Sequence, residues 1–161
     1  MTARERFSAI QPWITLVVRV AAGVIMIWAG IAKMIDIPAA IRAVRAYRLL
    51  PEAVVPFTGT VLPFLEIALG VFLIAGLFTR WSAYVYLAML AAYVGGTVWA
   101  WAHGLEIDCG CFGGDGSLAD GQTTDYAAHF IERAEFIALG AWVAIFPRSR
   151  LSLDGWLRPA V

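Results

Sequence analysis

The chain has 161 residues, enough for one domain, and 61% of them are hydrophobic while only 15% are charged; soluble proteins run at about 45–50% and about 25%. Formal net charge is zero, so no bulk field gathers nucleic acid or acidic substrates, and there is no basic cluster with interleaved aromatics. This composition excludes an ordinary soluble enzyme and points to an all-α integral membrane protein in contact with the lipid bilayer.

A spanning helix needs about 20 mostly apolar residues. The first candidate runs from about 13 to 34, with Arg19 as the charge inside its apolar part. Arg4 and Arg6 precede it as they would a signal peptide. The run exceeds the 7–15-residue core of such a signal, so a retained helix is expected. Asp36 and Pro38 then break the spanning pattern. Residues 39–50 have helical content with Arg42 and Arg45 on one face, which reads as a short interfacial helix or a solvated connector.

The second span is expected at about 53–78. Pro63 removes one backbone bond there, and Gly70 and Gly76 permit close packing. Thr79-Arg80-Trp81 marks a tight turn into the third span, about 81–102, which carries no charge from Ser82 to Ala102. The fourth, about 126–147, reaches spanning length only by taking Glu132, Arg133 and Glu135 into its first turns. Thr124 or Asp125 would cap it. The expectation is a single membrane domain over residues 1–161, a four-transmembrane-helix bundle. Residues 148–161 read as a polar tail with Trp156 as an interfacial anchor.

Basic residues near helix ends set orientation. Arg4, Arg6, Arg80, Arg148, Arg150 and Arg158 fall on one side; Arg42, Arg45 and Arg48 fall on the other, with Lys33 at the boundary. The loop between spans three and four, residues 103–125, has no Lys or Arg and several carboxylates. Both termini are therefore expected in the cytoplasm and this loop outside the cell membrane.

That loop holds both cysteines, in Asp108-Cys109-Gly110-Cys111-Phe112-Gly113-Gly114. A bridge between Cys109 and Cys111 would close a loop containing one residue, so it would add almost no stability. Redox work is the better reason for the motif. An i, i+2 disulfide bends the backbone, Gly110 and Gly113 permit that, and strained exposed disulfides are the labile kind. Two alternatives stay open. Cys109, Cys111 and His103 or His129 could hold copper(I), or the thiols are incidental and the acidic loop docks an assembly partner. Two cysteines do not complete a zinc site, so no resident metal is expected.

Ionisable residues inside spans mark functional or packing sites. Glu66 lies about 14 Å below Phe57 at 1.5 Å per residue. Lys33 reaches inward from the end of the first helix, and Glu132, Arg133 and Glu135 lie in the same half of the fourth. A buried polar cluster beneath the cysteine loop is expected, with Glu66 paired to Lys33 or Arg133. It reads either as an ion pair that fixes helix packing or as a group handling protons or a quinone headgroup. Arg19 is expected to snorkel inward.

With these residues in hand, the chain resembles the MauE/DoxX-like family of redox-associated membrane proteins. The resemblance is carried by Trp28-Ala29-Gly30-Ile31-Ala32-Lys33, Tyr47-Arg48-Leu49-Leu50-Pro51, Leu62-Pro63-Phe64-Leu65-Glu66 with Gly70, and Cys109-Gly110-Cys111-Phe112-Gly113, in order over about residues 15–147. It implies a membrane thiol–disulfide oxidoreductase supporting disulfide formation or exchange in exported proteins. The implied partner is a thioredoxin-like or exported substrate protein, and self-association and a second subunit both stay open. It also suggests a bundle like that of quinone-linked disulfide-forming enzymes, with quinone as electron acceptor. Those enzymes carry two cysteine pairs; this chain carries one.

Overall fold

The computed structural model describes residues 3–108, 112–118 and 123–157. They form α1 (Ala3–Met34), α2 (Ile37–Ala46), α3 (Val55–Ala75), α4 (Thr79–Ala102), α5 (Tyr126–Ile145) and α6 (Leu153–Leu157), with no strand among the described residues. Three helices, α1, α3 and α4, are long and apolar enough to cross a membrane. The fourth long helix, α5, has 20 residues, but Glu132, Arg133 and Glu135 interrupt its apolar run.

The four long helices pack side by side in up-and-down order. α1 and α3 lie closest, because small residues meet backbone. A Cβ on Gly70 would sit 2.6 Å from the Gly23 carbonyl oxygen, and a Cβ on Gly30 would sit 2.7 Å from that of Pro63. Seven residues separate each pair along its helix, so the contacts recur on one face. The core between the helices holds Ala22, Met26, Leu69, Leu73, Tyr86 and Leu90. α5 is antiparallel to α4, with Gly140 against the ring of Tyr86. It is tied to α1 by the Trp142 indole donating to Thr15 Oγ1 at 3.2 Å.

α1 begins ten residues before the apolar run that announces it. Its 32 residues span about 48 Å at 1.5 Å each, more than the roughly 30 Å hydrocarbon core. Arg4, Glu5 and Arg6 add no hydrophobic signal, and Pro12, which removes one backbone bond, lies inside the helix without ending it. α3 ends at Ala75, short of the expected 78, because Gly76 caps it in a left-handed conformation, φ +68°. Gly76 is thus a helix stop as well as the close contact expected of it, since a Cβ there would collide with the Arg19 guanidinium of α1.

The connector after α1 forms α2, whose N-cap is Asp36, accepting from the Ala39 amide at 2.9 Å. Ala39, Ala40 and Ala43 are buried, and Ile41 packs on Gly59 of α3. Arg42 and Arg45 stay exposed. The Arg45 guanidinium bonds Glu52, which holds that carboxyl below its ordinary range and raises the arginine.

Two expectations fail at the opposite end of the bundle. Arg19 does not snorkel: it is fully buried, with Nη2 donating to the Leu151 carbonyl at 3.2 Å and its guanidinium against Gly76. The C-terminal stretch is not a free polar tail. Arg150 N–H donates to the Pro12 carbonyl, and the carboxylate of Asp154 accepts from Phe78 N at 2.8 Å and Thr79 N at 2.7 Å. Asp154 thereby caps α4, which has no capping side chain of its own at Phe78.

Candidate functional site

The site lies at the end of the bundle where α1 and α4 finish and α3 and α5 begin. Lys33 stands in the last turn of α1, and helical side chains lean toward the N-terminus of their helix. Its ammonium therefore points down into the bundle and meets Glu66, Nζ donating to Oε1 at 2.8 Å and to Oε2 at 3.0 Å. Both residues are buried, 7% and 1% exposed. The Tyr93 hydroxyl of α4 donates to the same Glu66 Oε1 in a very short bond. The Lys33 ammonium lies 5.7 Å from the centre of the Tyr93 ring.

Arg133 of α5 is also buried, 3% exposed, and Nη1 donates to the His129 carbonyl one turn back at 3.1 Å. Glu66, Arg133 and Glu132 line one cavity of about 30 Å³, together with Tyr86, Tyr93 and Phe112. Its remaining walls are apolar, from Ile25, Met26 and Ala29 of α1, Leu90 of α4 and Phe136 of α5. A space of this size admits one or two waters. Tyr86 is 1% exposed, and its hydroxyl has no hydrogen-bond partner among the described residues. A buried hydroxyl left so costs about 1–3 kcal/mol, so a water or ligand atom at this site would relieve it.

Four of the five charged residues expected here converge: Lys33, Glu66, Arg133 and Glu132. Glu135 does not. It is exposed on the outer face of α5, because two residues along a helix is about 200° of rotation from the inward-facing Arg133. Tyr93 and Tyr86 are members that sequence reading missed. The available signal was chemical: a tyrosine in an otherwise apolar span needs a partner for its hydroxyl.

Described residues of the loop between α4 and α5 lie against this site. The loop's base is tied by Thr124, whose hydroxyl accepts from Ile107 N–H and donates to the Ile107 carbonyl, both at 2.9 Å. Glu106 accepts from Thr124 N–H at 2.9 Å, and the Tyr126 hydroxyl donates to the Leu105 carbonyl. Further along, Asp108 N–H donates to the Gly116 carbonyl at 3.2 Å. Gly113 and Gly114 have φ of +99° and +95°, a region that a side chain strains. Gly113 rests on Ala32 of α1, and Gly116 rests on Ala43 and Ala46 of α2. Asp115 lies 3.6 Å from Arg42. Its carboxyl is held below the ordinary range, first by the Ser117 hydroxyl and amide and then by Arg42.

Phe112 packs edge-on against Phe136, ring centres 6.1 Å apart, and forms part of the cavity wall. Cys109, Gly110 and Cys111, singled out by the sequence, lie outside the described residues. Of the described residues of that motif, Asp108 bonds across the loop, and Phe112 and Gly113 seat it on α5 and α1. Among the described residues no group of three or more His, Cys, Asp or Glu is placed to hold a metal.

No curated protein and no solved structure matches the chain. A family model described as methylamine utilisation protein MauE matches residues 11–146. That stretch runs from α1 through α5 and takes in every residue of the site just described. The chain therefore belongs to the MauE family and is a multi-pass membrane protein of the methylamine-utilisation type.

Proposed function

We propose that this protein is a membrane thiol–disulfide oxidoreductase that supports disulfide formation in exported proteins, with Cys109 and Cys111 as the exchanging pair. In this reading α5 crosses the membrane as the fourth span, both termini are cytoplasmic, and the loop between α4 and α5 faces outward. Disulfides persist on that side.

The observation that carries the reading is the seat of Phe112, which follows Cys111 directly in sequence. Its ring, itself partly exposed, walls a cavity lined by two carboxylates, an arginine and two tyrosines. Oxidising a partner's dithiol requires the chain's disulfide to be opened by a partner thiolate, giving a mixed disulfide. The partner's second thiolate then displaces the chain's sulfur, leaving the partner oxidised and the chain as a dithiol. Returning the chain to its disulfide removes two electrons and two protons, which a quinone takes up to become a quinol. Glu66, hydrogen-bonded to Tyr93 and paired with Lys33, is the group within the bundle suited to carry those protons, with Glu132 and Arg133 beside it. The quinone assignment follows the family resemblance; the proton-handling assignment follows the cavity's side chains.

The test is trapping. Cys109→Ser and Cys111→Ser variants are expressed in membranes, and mixed disulfides are read by a mass shift lost on reduction. One variant should accumulate a covalent adduct with an exported protein, and both should lose oxidation of it. If Cys111→Ser still oxidises the partner, or the double variant retains full function, the protein is an assembly or docking subunit instead. Orientation is read separately, by labelling Cys109 in intact cells with a membrane-impermeant maleimide; labelling only after lysis reverses it.

A further inference from the structure

Intramembrane carboxylates normally face a bundle's interior, and Glu66 does so. Glu135 does not: it is exposed, and among the described residues its side chain makes no hydrogen bond or ion pair. Its depth follows from the helix pairing. Gly140 packs on Tyr86 and Leu87, and Arg133 shares a cavity with Tyr93. In antiparallel helices one step down matches one step up, so Glu135 is level with about Ala91. That position is half way along the 24 residues of α4, about 18 Å from either end. A glutamate stem cannot reach water across that distance, whereas lysine and arginine can snorkel several ångströms.

The surroundings narrow the partner. Ala127, Ala128, Ala134 and Ala138 share the exposed surface of α5 with Glu135 and with Ile131, which is 65% exposed. Small side chains let another helix approach closely. A second copy presenting the same face would set carboxylate against carboxylate, which is repulsive. Among the described residues the exposed cations, including Arg42, Arg45, Arg48, Arg80, Arg148 and Arg150, lie at the two ends of the bundle, so none of these can meet Glu135 at mid-depth.

We infer that the outer face of α5 docks a transmembrane helix of a different protein, one that brings a lysine or arginine to mid-membrane opposite Glu135. The inference rests on the reading that α5 crosses the membrane and is independent of the cysteine chemistry.

The test uses the full chain in neutral phosphatidylcholine vesicles, with Cys109→Ser, Cys111→Ser and a donor dye on Ser117→Cys. The probes are acceptor-labelled synthetic leucine–alanine helices with arginine or leucine at the midpoint. The arginine helix should reach half-maximal energy transfer at about tenfold lower peptide density than the leucine helix, and Glu135→Gln should erase the difference. Equal behaviour of the two probes overturns the inference. So does energy transfer between copies of the chain that Glu135→Gln abolishes, since that makes the face a self-association surface. A companion measurement separates the two readings. With the cysteine pair removed, Glu135→Cys should resist an impermeant maleimide that labels Ser117→Cys. Equal labelling places α5 outside the bilayer and removes the basis of the inference. Resistance without arginine preference overturns the docking alone.

Discussion

The Lys33–Glu66 pair gives the sharpest quantitative expectation. Lys33→Met leaves the Glu66 carboxylate, 1% exposed, with the Tyr93 hydroxyl as its remaining neutral donor. Breaking one side of a buried ion pair costs about 3–5 kcal/mol, because an uncompensated charge remains. Glu66→Gln should cost less, roughly 1–2 kcal/mol, the price of one unmatched charge that can leave: Lys33 sits in the last turn of α1 and can swing its ammonium outward to water. The double variant Lys33→Met/Glu66→Gln has no charge left to strand, and an amide can still accept from Tyr93. Its cost should be within about 1 kcal/mol of zero. The coupling between the two positions is then about 4–7 kcal/mol in magnitude, read by a double-mutant cycle from reversible unfolding in mixed micelles. Additive single-variant costs would refute the reasoning, and so would a cheap Lys33→Met. The same double variant separates structure from chemistry. If it folds stably and loses thiol oxidation, Glu66 handles protons; if it keeps full activity, the pair serves packing.

Other outcomes follow from single contacts. Gly70→Leu must move backbone, since even its Cβ would lie 2.6 Å from the Gly23 carbonyl oxygen; a loss of about 1–3 kcal/mol or more in micelle unfolding is expected, and an unchanged midpoint would contradict the close α1–α3 contact. Asp154→Ala strips the cap from α4, at about 1–2 kcal/mol, with faster amide exchange at Phe78 and Thr79 as the local signature. Thr124→Val breaks both bonds to Ile107 and should speed proteolysis within 108–124 while the global unfolding midpoint stays fixed. Asp115 ties part of the same loop, and its carboxyl is depressed by Ser117 and Arg42. A depressed folded value means its contribution is complete above the ordinary carboxylate range and lost as pH falls through the lowered value. Loop proteolysis should therefore stay flat from neutral pH down to that range and rise only in stronger acid.

What could be read from the chain divides by the range of the interaction. α1, α3 and α4 were legible because hydrocarbon length demands a continuous apolar run, and Glu66 was legible because a lone carboxylate in such a run has to meet a partner. Depth allowed it two partners, Lys33 or Arg133; Lys33, in the last turn of α1, is the one whose ammonium reaches Glu66 half way along α3. Depth without angle was not enough on α5. Glu132, Arg133 and Glu135 lie within one turn, yet at about 100° per residue they cannot all face inward. Arg133 is the residue that turns in and Glu135 is the one left outside, a distinction that the helical wheel contains and that a reading by depth passes over. Tyr93 was hidden by its ordinariness, since a tyrosine in an apolar span becomes informative only when its hydroxyl has an identified acceptor. The C-terminal segment was hidden for a different reason. Asp154 caps a helix that begins 75 residues earlier, and Leu151 receives Arg19 across 132 residues. No local pattern encodes such contacts; they exist because the first turn of α4 exposes amides and α1 carries a buried guanidinium, and the returning chain supplies the Asp154 carboxylate to the first and the Leu151 carbonyl to the second. The two ends of the bundle thus meet the same demand differently. At one end the α4 amides and Nη2 of Arg19 meet distant carboxylate and backbone oxygens that hold the helices together, while Nε and Nη1 of Arg19 have no hydrogen-bond partner among the described residues. At the other, Glu66 and Arg133 share a cavity walled by Phe112, the residue that follows Cys111, and that contrast is why the reactive chemistry is assigned to the second end.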